Sequence, residues 1–346
     1  MTSGSWVIRA DASPSIGSGH IMRCLALAQA WQDQVGGVRF IMAQAALPLE
    51  TRLRSEGMEV SRLAAVSGSL EDARQTVQLA QQCRASWIVV DGYQFGAEYQ
   101  RLIKDAGQRL LAIDDHGHAD HYYADIILNQ NLNAHKNFYR KRESYAHLLL
   151  GTEYVLLRRE FLKWHLWQRD IPEVARKILV TMGGGDPANV TLKVLKAIKG
   201  VRIPGLEVVA VIGAVNPHFQ ELKAEIENAE IPMSLENNLT DMPKLMAWAD
   251  VAVSAGGSTC WELAYMGLST CIIILAANQV MVSETLQERG LAANAGWFDA
   301  VHQNTLSIIL EDLIKNKEKR LKMGREGRNL VTGQGSQAVI AFLKTL

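Results

Sequence analysis

Short apolar, β-branched runs alternate with longer helical patterns along most of this chain, and that alternation leaves few folds open. In the first half the runs are WVIRAD (6–11), VRFIMA (38–43), MEVSRL (58–63), WIVVDG (87–92), RLLAIDD (109–115) and ADIILNQ (124–130). A charged and aromatic stretch at 131–175 interrupts the rhythm. It resumes with KILVTM (177–182), LEVVAVIG (206–213), IPMSLE (231–236), DVAVSA (250–255) and STCIIILA (269–276). Such runs are apolar on both faces, as strands covered by helices on both sides must be, so each half reads as a parallel α/β sheet. Between them lie amphipathic patterns; Val190, Val194, Ala197 and Ile198 mark one helical face.

The 346 residues are about twice the usual single-domain length of roughly 100–200. The expected organisation is an N-terminal domain over 1–160, a linker at 161–174, a second domain over 175–330 and a C-terminal helix at 331–346. The fold class is thus α/β, two Rossmann-like doubly wound domains facing a cleft. Ligands of such sheets sit outside the carboxyl ends of the strands. The segment 304–331 is expected to be helical, and Met42, Met58, Met182 and Met242 read as core filler.

Thirty-six basic residues balance thirty-six acidic ones, which argues against a nucleic-acid-wrapping surface and leaves anionic ligands to local devices. Cys24, Cys83, Cys260 and Cys271 have no paired spacing that suggests zinc or a disulfide framework, so a reducing, cytoplasmic setting is expected. The longest apolar stretch, CIIILAA at 271–277, falls far below the 18 or so residues of a membrane span, so no integral membrane segment is expected. The oligomeric state is not legible.

Three strand ends carry small-residue loops: SIGSGH (15–20), with Gly17, Ser18 and Gly19; MGGGDPAN (182–189), with Gly184 and Gly185; and SAGGSTCWE (254–262), with Ser254, Gly257 and Ser258. Glycine lets backbone N–H groups approach an anion, and a helix starting there adds its unsatisfied N–H groups and positive dipole end. A diphosphate is the natural guest, although one such loop alone is often only a chain reversal. None is G-x-G-x-x-G or a P-loop, so nicotinamide enzymes and ATPases recede. Glu262 falls one helical turn after Ser258, where its carboxylate can accept from two vicinal hydroxyls such as those of a ribose; the alternative is a solvated first-turn glutamate.

IRADASPSIGSGHIMRCLALAQAW, DGYQFG, AIDDHGHADHYYADIILNQN, MGGGDPAN, SAGGSTCWELAYMG and Asn278-Gln279 together resemble, in order and spacing over residues 6–290, one family. It is the UDP-2,4-diacetamido-2,4,6-trideoxy-β-L-altropyranose hydrolase family of pseudaminic acid biosynthesis, similar in fold to two-domain UDP-sugar glycosyltransferases. The resemblance implies a UDP-sugar substrate held mostly by the second half: backbone near Leu239 for uracil, Glu262 for ribose, and Gly257 and Ser258 for phosphate. Related transferases typically continue G-H-x-x-P where this chain has Gly19-His20-Ile21-Met22-Arg23, and Arg23 favours the hydrolase branch. The third loop, Gly256-Gly257-Ser258-Thr259, looks more like a transferase loop, and the chain runs well past 300.

Hydrolysis at an anomeric carbon needs an activated water and a stabilised departing diphosphate. Neutral imidazole, with an ordinary pKa of about 6.5, can take the water's proton without placing another negative charge beside the diphosphate. His20 is the candidate base, and its alternative is a helix-terminal cap or phosphate contact. The family pattern adds Asn278 and Tyr93 at the sugar, with Gln279 beside them; packing is the alternative for Tyr93. Arg9 and Asp11 flank the first strand end and can both be structural. Asp114, Asp115, His116, His118 and His121 invite a metal reading, but their spacing matches no closed ligand pattern, and neither metal nor cofactor is expected. A UDP-sugar glycosyltransferase, a hydrolysing UDP-N-acetylhexosamine 2-epimerase and a non-catalytic nucleotide-sugar binder are the competing readings.

Overall fold

The computed structural model describes residues 4–13, 16–34, 36–44, 47–213, 216–237, 239 and 241–346. The chain divides into two compact units, Met1–Arg159 with Gln334–Leu346, and Glu160–Gly333. The segment 161–174, expected as a linker, clusters with the second unit. There Arg169 donates to the carbonyls of Met246 (2.6 Å) and Met266 (3.2 Å), which ties this otherwise irregular stretch down. The last helix, Gly335–Leu343, joins the first unit instead of standing apart, with Val339, Ile340 and Leu343 in its core.

In the first unit, β1 (Ser5–Ala10), β2 (Gly37–Met42), β3 (Glu59–Arg62), β4 (Ala85–Asp91), β5 (Leu110–Ile113), β6 (Ile126–Asn129) and β7 (His147–Leu150) form one sheet in the order β3-β2-β1-β4-β5-β6-β7. Every pairing is parallel. The strands are buried on both faces because alternate side chains feed separate cores. Trp6, Ile8 and Ala10 pack with the helices Gly19–Gln32 and Gly335–Leu343, whereas Val7, Ile88 and Val90 pack with Leu70–Gln82 and Ala97–Asp105. The helix Gly19–Gln32 lies between sheet and terminal helix, which explains its long run of buried residues from Arg23 to Ala30.

In the second unit, β8 (Lys177–Thr181), β9 (Glu207–Ile212), β10 (Met233–Asn237), β11 (Val251–Ala255), β12 (Ser269–Ile274) and β13 (Ala293–Trp297) form a parallel sheet in the order β10-β9-β8-β11-β12-β13. Val190, Val194, Ala197 and Ile198 are buried in the helix Val190–Lys199, and Met42, Met58, Met182 and Met242 are buried too. The tail forms the helices Gln303–Lys315 and Lys317–Leu330. No described helix is long and apolar enough to cross a membrane.

Strand order reverses between β1 and β4 in one unit and between β8 and β11 in the other. Loops leaving adjacent strands in opposite directions open a crevice at such switch points. SIGSGH follows β1, and MGGGDPAN and SAGGST follow β8 and β11, so all three glycine loops lie at switch points.

Candidate functional site

At the first switch point, the helix beginning at Gly19 places His20 in its first turn and Arg23 one turn further on. Ser15 lies outside the described residues; Gly17 adopts φ +77°, with open space where a side chain would stand, and Gly17 N–H donates to the Ser13 carbonyl (2.8 Å). Across the sheet, β4 ends on Asp91, which is buried. His20 Nδ1 is 2.6 Å from Asp91 Oδ1, the distance of a charge-assisted bond from Nδ1–H to carboxylate. That tautomer leaves the lone pair on Nε2.

Asp91 is itself gripped from behind. Arg23 donates Nε–H to Asp91 Oδ2 (2.7 Å) and an Nη2–H to Oδ1 (2.7 Å), a two-toothed pair. The other side of the same guanidinium reaches Asp115, just beyond β5, at 2.7 and 3.1 Å. Burial pushes the Asp91 carboxyl upward, but the charge of Arg23 and the hydrogen bonds from Arg23 and His20 outweigh it and hold the group well below the ordinary carboxylate range. Asp115 is likewise lowered: burial opposes, and Arg23 prevails.

Arg23 does not fit the expectation of a ligand contact. It is buried and its fork is filled by the carboxylates of Asp91 and Asp115. Tyr93, at the turn after β4, is 38% exposed and stands edge-on to His20 with ring centroids 5.4 Å apart. Its hydroxyl donates to Asp115 Oδ2 (2.7 Å), and Asn131 Nδ2 donates to the other oxygen (2.8 Å).

Sequence reasoning missed Asp91, and weighed Asp115 only as a metal ligand. A signal was present: an ionisable residue closing a strand buried on both faces needs a partner. The histidine-rich loop has a different use. Asp114 turns inward, accepting from the His116 and Gly117 N–H groups (2.7 and 2.6 Å), the Tyr139 hydroxyl (3.0 Å) and His118. His121 pairs with Glu143 (3.1 Å), and no described group of three His, Cys, Asp or Glu side chains is arranged to hold a metal. Arg9 and Asp11 form a separate buried cluster with Asp72: Arg9 reaches Asp72 at 2.7 and 2.9 Å, and Asp11 accepts from the Ala43 and Gln44 N–H groups.

The remaining candidates lie in the second unit, in the loops after β8, β10, β11 and β12. In the loop after β8, Gly185 is buried and Gly184 half-buried. The helix that follows does not offer its N-terminus to a ligand, because Asp186 already occupies it. That carboxylate accepts from the Val190 and Thr191 N–H groups (2.8 and 2.9 Å) and the Thr191 hydroxyl (2.6 Å). It is a capping anion supplied by the loop itself. Asp186 and Asn189 have φ values of +44° and +50°, the left-handed backbone that tolerates Asp and Asn best.

After β11 the two glycines differ. A Cβ on Gly256 would lie 2.5 Å from Ser283 Oγ and 3.0 Å from Gln279 Cβ, whereas one on Gly257 would meet nothing within 4 Å. Ser258 then opens the helix Thr259–Tyr265, with Glu262 half-buried in its first turn. Ser254 does not fit a ligand role: it is wholly buried and its hydroxyl donates to the Ala255 carbonyl (3.2 Å). Gln279 fastens the loop, its Oε1 accepting from Gly256 N–H (3.2 Å) and Leu275 N–H (2.9 Å). Asn278 is exposed on the short 3-10 turn after β12. Leu239 follows β10, and its neighbours 238 and 240 lie outside the described residues.

Two doubly wound parallel sheets, each with glycine-rich loops at its switch point, define the fold class of the glycosyltransferase-B proteins. The chain superposes on MurG of Acinetobacter baumannii with a TM-score of 0.67 over 99% of this chain and 100% of that one, at 16% identity. Residues 178–331 match the glycosyltransferase family 28 C-terminal domain. Over 82% of its length the chain is 25% identical to 96% of the UDP-2,4-diacetamido-2,4,6-trideoxy-β-L-altropyranose hydrolase of Campylobacter jejuni. It is also 31% identical over 172 residues, 49% of this chain and 50% of the other, to the spore coat polysaccharide biosynthesis protein SpsG of Bacillus subtilis. The chain spans about half the length of SpsG and of one further curated relative.

Proposed function

We propose that this protein is a nucleotide-sugar-processing enzyme, and specifically a hydrolase of a UDP-diacetamido-trideoxy sugar in pseudaminic acid-type biosynthesis. Water attacks the anomeric carbon as the sugar C–O bond breaks, with inversion, releasing UDP and free sugar. The observation that carries this reading is the hydrogen bond from His20 Nδ1 to Asp91 at the first switch point. It fixes the ring so that Nε2 receives the water's proton, and the buried carboxylate stabilises the imidazolium that forms. Similarity to the Campylobacter hydrolase over 96% of that protein supports the substrate class.

UDP leaves as a weak base, so it needs electrostatic support more than a proton. In this reading the loop Gly257-Ser258 supplies N–H groups to the diphosphate, Glu262 accepts from the ribose hydroxyls, and backbone at Leu239 reads uracil. Gly17, Ser18 and Gly19 bring His20 to the sugar, while Tyr93, Asn278 and Gln279 orient it. Asp186 limits what Gly184 and Gly185 can add, because the helix end behind them is taken. The glycosyltransferase family 28 match favours one alternative, transfer to an acceptor in place of water.

Purified protein incubated with a panel of UDP-diacetamido sugars, with products followed by NMR, tests the proposal. Free sugar of inverted anomeric configuration is expected; product formed only on addition of an acceptor would identify a transferase, and binding without turnover a nucleotide-sugar binder. His20→Asn should abolish turnover while leaving UDP binding within about threefold. Retained turnover would remove His20 from the mechanism.

A further inference from the structure

Asp115 makes four strong contacts that differ in character. Two go to the Arg23 fork (2.7 and 3.1 Å), one comes from the Asn131 amide (2.8 Å), and one from the Tyr93 hydroxyl (2.7 Å). The first three anchor the carboxylate from the protein side. Tyr93 alone among these partners is exposed, and its ring lies beside His20. An ionised carboxylate accepts only, so the phenolic proton of Tyr93 is committed to Asp115, and toward any other group the hydroxyl oxygen acts as an acceptor.

We infer that Asp115 is a positioning residue that acts through Tyr93, holding its hydroxyl as a hydrogen-bond acceptor beside His20. A group docked against Tyr93 must then be a donor: an amide N–H, a sugar hydroxyl or the attacking water. Of the chemistry a diacetamido sugar carries, the N–H groups meet that demand and the acetyl carbonyls do not. His20 has the same polarity, since its Nδ1 proton is committed to Asp91 and Nε2 accepts. Two acceptors held side by side suit a ligand face that presents donors. Arg23 offsets part of the cost of burying the two carboxylates, because one guanidinium pairs with both.

The inference rests on the hydrolase reading, and the test separates the two. Initial rates of UDP release are measured for the wild type, Tyr93→Phe, Asp115→Asn and the double variant, with melting temperatures recorded for each. Tyr93→Phe is expected to lower kcat about tenfold or more in the wild-type background. In the Asp115→Asn background the same change should lower it no more than about threefold, because the hydroxyl is no longer held. Full multiplication of the two losses, or an Asp115→Asn enzyme with lowered melting temperature and wild-type kcat, would overturn the inference. Should Asp115→Asn fail to fold, Asn131→Ala loosens the same carboxylate. It should lower kcat about threefold with KM little changed, an effect that disappears when Tyr93 is already phenylalanine; persistence of the effect there would overturn the inference too. No UDP release by the wild type would instead overturn the hydrolase reading, and this inference with it.

Discussion

Replacing Asp91 with asparagine changes one oxygen for an NH₂ group, and the structure dictates that neither orientation of the amide can satisfy its neighbours. Oδ1 accepts from His20 Nδ1 (2.6 Å) and Arg23 Nη2 (2.7 Å), while Oδ2 accepts from Arg23 Nε (2.7 Å). With the amide oxygen at the first position, NH₂ faces the Arg23 Nε–H. With the amide flipped, NH₂ faces both Arg23 and the His20 Nδ1–H, and the ring must adopt the tautomer in which Nε2 carries the proton and cannot act as a base. The equivalent loss of a carboxylate behind a catalytic histidine lowers kcat by about 10⁴, or about 5.4 kcal/mol at 1.36 kcal/mol per decade. We expect a kcat loss of about 10³–10⁴ for Asp91→Asn. Breaking a buried ion pair destabilises by about 3–5 kcal/mol, and the low end applies because Arg23 keeps Asp115. The assay is UDP release corrected for the folded fraction from thermal melts, with UDP affinity measured by calorimetry and expected within about threefold of wild type. A folded Asp91→Asn enzyme retaining more than about a tenth of wild-type kcat would refute the role given to this carboxylate.

The two glycines after β11 should respond oppositely. Gly256→Ala drives a Cβ into Ser283 Oγ, which is buried and bonded to the Gln279 carbonyl (2.7 Å), so it should destabilise the second unit by about 1–3 kcal/mol. Gly257→Ala should leave the melting temperature unchanged and weaken UDP binding about tenfold; wild-type UDP affinity would move the diphosphate elsewhere. Acid should weaken the units unequally. Asp11, Asp91, Asp114 and Asp115 of the first unit are all held below the ordinary carboxylate value, burial being outweighed by Arg9, Arg23, His118 and Arg23 respectively. Depressed native values mean that the folded state binds fewer protons than the unfolded one. Their stabilisation is therefore present above about pH 4 and is lost as pH falls further. In the second unit, burial raises Asp186, so protonation there acts in the other direction. Hydrogen exchange at pH 6 and pH 3 should show the first unit losing protection before the second; the reverse order would contradict the sign.

Both sheets were legible because strands covered on two sides must be apolar throughout, and nine such runs are visible in the sequence, together with the alternating edge strands β3 and β10. The two strands that were not read, β7 and β13, are sheet edges. HLLL at 147–150 has only Leu149 buried, and Ala293–Trp297 is small-residued and partly exposed. An edge strand is relieved of the double covering that makes central strands conspicuous. The site divides in the same way. Gly17, Ser18, Gly19, His20 and Arg23 are neighbours in the chain, so their grouping on one helix end was readable from spacing. Asp91 and Asp115 meet Arg23 across 68 and 92 residues, and only the order β1-β4-β5 brings them there.

The second loop shows that glycine content is a poor guide by itself. MGGGDPAN contains three glycines before a helix, as an anion loop should, yet it also contains the anion: Asp186 takes the Val190 and Thr191 N–H groups that a phosphate would need. An aspartate four residues ahead of a helix's first turn was therefore the more informative letter. The first loop carries no such competitor in its helix's opening turn, which has no acidic residue, and the negative charges instead arrive from β4 and β5 to face His20 and Arg23. Where the carboxylates stand relative to each helix end separates a loop that presents a histidine from a loop that closes on itself, and this follows from the sheet order rather than from the glycines.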